Sequence, residues 1–128
     1  ARLMSVSLTE HAVVERRKTV TRRLGWKFLR PGDRLTLCRK VMGRKPGEPL
    51  VRLAEVEVVS VVREPLLWIK LRPGDVAREG LAPMTPEDFI DFFCTHMGCR
   101  PTDEVTRIEW RYLDEGMANW VSRHGVSD

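Results

Sequence analysis

The sequence predicts an α+β fold, and three observations carry that prediction. Short stretches of alternating apolar and polar residues recur along the chain, one segment has complete helix-start and helix-stop chemistry, and no regular succession of strand and helix signals a parallel βαβ sheet. With 128 residues, 42% of them hydrophobic, the chain has the size of one compact domain with a real core.

Taken in order, "RLMSVSL" (2–8) predicts a first strand, and Thr9 is placed to cap a short helix through "EHAVVERR". Ala12 at the third position of that helix leaves it without a capping box. In "KTVTRR" the β-branched Thr19, Val20 and Thr21 favour a second strand, and "RPGD" (30–33) reads as a Pro-Gly turn. "DRLTLCRKV" alternates, with Leu35, Leu37 and Val41 on one side and Thr36, Cys38 and Lys40 on the other. The turn-rich "MGRKPGEP" (42–49) then leads into "LVRLAEVEVVSVVRE", where Ala54, Val56, Val58 and Val62 share a face across from Glu55, Glu57 and Arg63. These two strands are expected to form a hairpin. The pentapeptide "LRPGD" occurs at 29–33 and at 71–75 with unrelated flanks, which reads as one turn chemistry used twice rather than a duplicated unit.

The strongest helix signal is "TPEDFIDFFCTHMG": Thr85 as N-cap, Pro86 at the first position, Glu87 and Asp88 at the positive end of the dipole, and Gly98 as the stop. Its Phe89, Phe92, Phe93 and Met97 form an apolar stripe expected in the core. "EVTRIEWRYL" (104–113) alternates again, with Ile108, Trp110 and Tyr112 on one face. A tail with Met117, Trp120 and Val121 predicts a short packed helix ended by Gly125, so the chain divides into a domain over residues 1–113 and an extension over 114–128.

Composition narrows the function classes. No run approaches the roughly 18 consecutive apolar residues of a membrane span, and the first residues do not read as a secretory leader. Three cysteines, Cys38, Cys94 and Cys99, are an odd number for a disulfide framework and suit a reducing compartment. A cytoplasmic protein without membrane attachment is expected. Cys94, His96 and Cys99 sit at offsets of two and five on one helix, which do not converge on a tetrahedral metal. His11 and His124 have no nucleophile signalled beside them, and no phosphate-cradling glycine loop is present. No metal and no cofactor is expected.

Charge supplies the sharper signal. Residues 16–45 hold 12 basic and one acidic residue, net +11, and the rest of the chain holds 10 basic and 17 acidic, net −7. Such separation predicts a local positive field that attracts polyanions. Seven Lys or Arg lie between Arg16 and Arg30 with no acid among them, around a segment patterned as a strand.

Within that segment, "RRKTVTRRLGW" followed by "PGDRL" resembles the ASCH family of the PUA-like superfamily, whose signature is Gly-x-Lys-x-x-x-x-Arg leading into a Pro-Gly-Asp turn. Lys18 and Arg23 match its Lys and Arg, and Arg16 stands where the pattern has Gly. The resemblance extends over about residues 5–113. It implies a small mixed β-barrel with flanking helices and a cleft, lined by the Lys and Arg, that takes RNA or another nucleic-acid ligand. The family also includes small amidohydrolases that deacylate N4-acetylcytidine with a Lys, a Thr three residues later and a Glu in the crossover after the long strands. Here those positions fall on Lys18, Thr21 and Glu79.

On a regular strand Thr21 and Arg23 share a face, and Lys18 joins them only from the bend before the strand. There, burial and the cations Arg17, Arg22 and Arg23 are expected to lower its pKa, as a lysine base requires. Thr21 would serve as nucleophile and Glu79 would orient the lysine or shuttle a proton. The alternative is structural: Lys18 and Arg23 pair with Glu79 and backbone carbonyls as a buried ion network. Two functions are thereby expected, recognition of RNA or a modified nucleoside and, as the alternative, amide hydrolysis on such a nucleoside. Arg16, Arg17, Lys18, Arg22, Arg23 and Trp26 are the candidate ligand-binding residues, with Trp26 or Trp68 as stacking surfaces for an unstacked base. An interaction domain with an idle cleft is the third reading.

Overall fold

The computed structural model describes residues 2–113. The chain runs β1 (Arg2–Ser5), a 3-10 turn (Ser7–Thr9), α1 (Glu10–Val14), β2 (Val20–Arg23), β3 (Arg34–Cys38), β4 (Arg52–Pro65), a 3-10 helix (Leu66–Leu71), α2 (Asp75–Arg78), α3 (Pro86–Met97) and β5 (Glu104–Tyr112). The expected extension over 114–128, with Met117, Trp120 and Val121, lies outside the described residues.

One five-stranded sheet in the order β1-β3-β4-β5-β2 organises the molecule. Among the described residues only the β1–β3 pairing is parallel; β3–β4, β4–β5 and β2–β5 are antiparallel. The sheet curls into a half-barrel, and its edge strands meet without a ladder: the Arg23 guanidinium at the end of β2 donates to the Ser5 carbonyl at the end of β1, 2.8 Å away. A side chain thus bridges the seam where backbone pairing would close a full barrel.

The concave face holds the first core, with Met4, Leu35, Leu37, Val56, Ile108 and Trp110 all at most 2% exposed. Each fully buried aliphatic side chain of this kind contributes about 1.5–3 kcal/mol. A second core, built on Leu66, Ile69, Phe89, Phe93 and Val105, fastens α3 and the 3-10 helix to the far end of the sheet.

Helix α3 forms as its end signals predict: Thr85 Oγ1 accepts the Asp88 N–H at 3.1 Å, and Gly98 stops the helix at φ 65°. Its stripe divides, however. Phe89 and Phe93 are core, while Phe92 is half-buried and Met97 exposed, because the helix covers the open seam rather than a closed sheet.

Four further expectations are corrected. Thr9 precedes α1 but its side chain makes no cap, and α1 stops at Val14 instead of reaching Arg17. In β4 the register shifts between Val58 and Ser60, so the alternation changes phase: Val61 packs on the core, and Val62 is exposed. Thr36 and Cys38 are buried along with Leu35 and Leu37, since β3 lies inside the sheet between β1 and β4. The two "LRPGD" turns also differ. Both close with an Asp N–H to Arg C=O bond, Asp33 to Arg30 at 3.0 Å and Asp75 to Arg72 at 2.8 Å, yet Gly32 has φ 94° and Gly74 has φ −64°. The first has the positive φ of a type II turn; the second has the right-handed conformation of a type I turn opening into α2.

Candidate functional site

The C-terminus of α1 positions the lysine. Arg17 N–H bonds the Ala12 carbonyl at 2.8 Å and Arg16 N–H bonds Val13 at 2.9 Å, the paired closure of a Schellman motif, whose C′ residue adopts a left-handed conformation. Arg16 is that residue, at φ 63°. The glycine of the Gly-x-Lys pattern therefore answers a backbone requirement, and Arg16 meets it at a cost of about 1–3 kcal/mol. Its own side chain offsets part of that cost by donating to the Val13 and Val14 carbonyls and lying over the Tyr112 ring. Arg16 does not line the cleft, because its guanidinium turns back onto the helix end.

Lys18 follows in the bend before β2, and its backbone is fixed from several directions. The Lys18 carbonyl accepts Trp110 Nε1 at 3.0 Å and the Tyr112 hydroxyl, and Thr19 N–H donates to the Arg78 carbonyl at 2.8 Å. Gly80 completes the local fit: at φ 89°, any Cβ there would lie 2.7 Å from the Cβ of Ala12. Only a glycine lets the Glu79–Gly80 backbone rest against α1, and this contact presents the Glu79 carbonyl to Lys18 Nζ at 2.7 Å.

Around these residues lies a chain of buried ions. Lys18 Nζ is 3.3 Å from Glu79 Oε1, and Arg22 Nη1 donates to Glu79 Oε2 at 3.1 Å. Arg22 Nη2 donates to Asp75 Oδ2 at 2.6 Å, and Arg107 grips Asp75 through Nε and Nη2 at 2.8 and 3.1 Å. Glu64, also buried, stands 3.5 Å from Arg22. Burial pushes Lys18 down to about 8, against the pull of Glu79 and with help from Arg23 and Arg22. Burial alone would raise Asp75, but the hydrogen bonds of Arg107 and Arg22 outweigh it and hold the carboxyl well below its ordinary range.

On the other face of β2, Arg23 Nε donates to Thr21 Oγ1 at 3.1 Å, the neighbour relation their spacing predicts. Lys18, Thr21, Arg22, Arg23 and Glu79 together form the polar wall of one cleft of about 240 Å³. The segment 5–9 also lines it, and its apolar lining is made by Leu81, Phe89, Phe92, Phe93 and Met97. His96 also lines it, its ring tilted against that of Phe92 with centroids 4.3 Å apart. The cleft thus occupies the seam between the edge strands, with α3 as its lid.

Lys18, Thr21 and Glu79 are brought together, as are Arg22 and Arg23. Four other expected ligand or stacking residues are not. Arg16 is turned onto the end of α1; Arg17 is exposed and paired with Glu15 at 2.7 Å, so it does not act on Lys18. Trp26 packs on the first core and against Phe28, and Trp68 lies outside the cleft lining. The aromatic residues of α3 in the cleft lining include Phe92, which the periodicity of the helix assigned to the core, and beside it His96, which that stripe did not include. Asp75, Glu64 and Arg107 were not signalled at all. Part of the basic run meets acids: Arg17, Lys18 and Arg22 pair with Glu15, Glu79 and Asp75, Arg39 with Glu10 at 2.8 Å and Lys40 with Glu48 at 3.7 Å, while Lys27, Arg30, Arg34, Arg44 and Lys45 stand at exposed positions without such a pair among the described residues. Among the described residues no group of three or more His, Cys, Asp or Glu is arranged to hold a metal, and no helix is long and apolar enough to cross a membrane.

No protein-family model and no curated protein matches the sequence. Solved structures do match in shape. The ASCH protein of Zymomonas mobilis superposes with a TM-score of 0.56 at 14% identity, over 98% of this chain and 80% of that one. A DUF984 protein from Enterococcus faecalis V583 gives 0.57 at 16% identity over 84% and 71%, and the hypothetical protein PH0355 gives 0.58 at 13% over 88% and 96%. Identities this low speak to the backbone alone, and with the mixed half-barrel and its seam they show that this chain has the ASCH-like fold of the PUA-like type.

Proposed function

We propose that the seam cleft takes up a single nucleoside or unstacked base, held between the Phe92–His96 surface and the polar wall of Lys18, Thr21, Arg23 and Glu79. The observation that carries this reading is the convergence of those polar residues on one small cleft that apolar and aromatic side chains also line. At about 240 Å³ the cleft falls just below the range of about 300–1,000 Å³ typical of drug-sized ligands, which suits one base with its sugar at the mouth. A run of phosphates fits less well, because Lys18 and Arg22 already have resident carboxylates that an anionic guest would have to displace. Arg23 hydrogen-bonds two neutral oxygens, Thr21 Oγ1 and the Ser5 carbonyl, and is the cation best placed to meet a polar edge.

A second reading, hydrolysis of an amide on that nucleoside, is favoured by Lys18 being pushed to about 8, which leaves a base fraction near neutral pH. Arg23 Nε donating to Thr21 Oγ1 would stabilise an alkoxide there. Thr21 Oγ1 would attack the acyl carbon as Lys18 takes the hydroxyl proton. The C–N bond would then break with that proton passing to the departing nitrogen, and water would release the acid from the Thr21 ester.

The test is titration of cytidine and N4-acetylcytidine into wild type and Lys18→Ala, followed by NMR and by product analysis. Binding is expected to be nearly independent of salt, unlike a phosphate-driven complex, and to weaken on the order of tenfold in Lys18→Ala. Turnover, where it occurs, should rise with pH through about 8, since the neutral amine is the active form, and should vanish in the variant. Absence of both binding and turnover in the wild type overturns the proposal; steep salt dependence of oligonucleotide binding would point to the phosphate-reading surface instead.

A further inference from the structure

The buried acids do more than neutralise the cations. We propose that Asp75 is a positioning residue of the cleft: through Arg22 it holds the Glu79 carboxylate in the orientation that meets Lys18. Its importance for a guest rests on the nucleoside reading of the cleft; the linkage itself does not.

Asp75 lies at the start of α2, fully buried, and does not line the cleft. Its two oxygens take four hydrogen bonds, Oδ2 from Arg22 and Arg107, and Oδ1 from Arg107 and Arg78. A carboxylate offers about four acceptor sites, so Asp75 is saturated and has no freedom to turn. Arg22 inherits that rigidity. Its planar fork gives Nη2 to Asp75 and Nη1 to Glu79 Oε2, and fixing one prong fixes the direction of the other. Glu79, held at Oε2, then presents Oε1 to Lys18 Nζ at 3.3 Å. Glu64 is a weaker director of Arg22: it stands 3.5 Å away and its Oε2 has no hydrogen-bond partner among the described residues. The linkage therefore runs from β5 to α2, through β2 and back to Glu79 at the end of α2, joining three stretches remote in sequence.

The charged groups around Lys18 are Glu79, Arg23 and Arg22, with the His96 ring of α3 on the same cleft. Two substitutions should move its proton affinity in opposite directions. Asp75→Asn removes an anion and leaves Arg22 to draw harder on Glu79, so Lys18 should lose its proton more readily. Arg22→Met removes a cation and releases Glu79 to Lys18, so Lys18 should hold its proton more tightly. Each shift is expected to be on the order of tenfold in the proton-binding constant, about one pKa unit.

The measurement is an NMR pH titration of the Lys18 side chain in carbon-13 lysine-labelled wild type and both variants. Opposite shifts support the linkage. Folded variants in which Lys18 titrates as in the wild type overturn it and leave Asp75 a purely structural acid. Should Asp75→Asn not fold, Arg22→Met decides alone, because there Asp75 keeps its grip from Arg107. The readout needs no substrate: opposite shifts in a protein that neither binds nor cleaves a nucleoside would sink the proposed function and spare the linkage, and nucleoside binding with unmoved titrations would do the reverse.

Discussion

The pentapeptide LRPGD at 29–33 and its copy at 71–75 place the same residues in inverted surroundings. In the first, Leu29 is buried in the barrel core and Asp33 is exposed; in the second, Leu71 is 74% exposed and Asp75 is 0% exposed. The sequence specifies the closing bond, which both copies make. The element that each turn enters specifies the rest. After Asp33 the chain enters β3, and the turn locks to β4 through Gly32 N–H to Val58 O and Val58 N–H to Asp33 O, each at 2.8 Å. After Gly74 the chain enters α2, so the turn residue itself is right-handed and the Asp side chain swings beneath the sheet to meet Arg22 and Arg107. A local motif fixes a local bond; the fate of its charge is decided by the neighbouring elements.

The largest break in this symmetry is expected from Asp75→Asn. It leaves Arg22 and Arg107 buried beside one acid fewer, and removing one partner of a buried pair costs about 3–5 kcal/mol, readable as a shift in the urea midpoint. The same carboxylate sets an acid limb. Its folded pKa is depressed below the ordinary 3.8, so its stabilisation is complete above that value and is lost as pH falls through the lower, folded one. Wild type should therefore weaken in acid more steeply than Asp75→Asn, and equal acid slopes would show that Asp75 is not the linked group.

Next in size is the contrast between the two glycines. Gly32→Ala forces a Cβ onto a residue at φ 94° and should cost about 1–3 kcal/mol, although nothing crowds the position. Gly74→Ala keeps an ordinary φ of −64°, and its Cβ would meet only the far end of the Arg78 side chain, at 3.1 Å. It should be neutral or stabilise by up to about 1 kcal/mol through the unfolded chain. Thermal melts of the two variants decide this, and equal losses would mean the turns are one type after all.

The same inversion marks where the sequence was legible. Local chemistry was: the caps of α3, the hairpin of β3 and β4, the shared face of Thr21 and Arg23, and the place of Lys18 in a bend all rest on neighbours within a few residues. The signature glycine position was visible too, but its reason was not, since the Schellman closure that demands φ 63° at Arg16 needs the helix end in view. Counting charge by segment missed the buried pairs for a physical reason. Asp75 and Glu79 stand 53 and 57 positions from Arg22, and Asp75 stands 32 from Arg107, so the acids that neutralise the buried part of the basic run are invisible to a count along the chain. Alternation likewise failed past Val58, where one bulge exchanges Val61 and Val62.

The smallest effect is expected at Asp33, and it is the control on which the comparison turns. Asp33 Oδ2 accepts the Arg30 N–H at 2.9 Å on an exposed turn, a bond water can replace. Asp33→Asn keeps an acceptor in the same place and should stay within about 0.5 kcal/mol of wild type; Asp33→Ala should lose about 0.5–1.5 kcal/mol. If Asp33→Asn instead weakened the protein as much as Asp75→Asn, the charge itself would be working through the pentapeptide in both copies. If it does not, the several-fold larger response of Asp75 belongs to Arg22 and Arg107, and the buried copy is a turn that the ion chain behind the cleft has recruited.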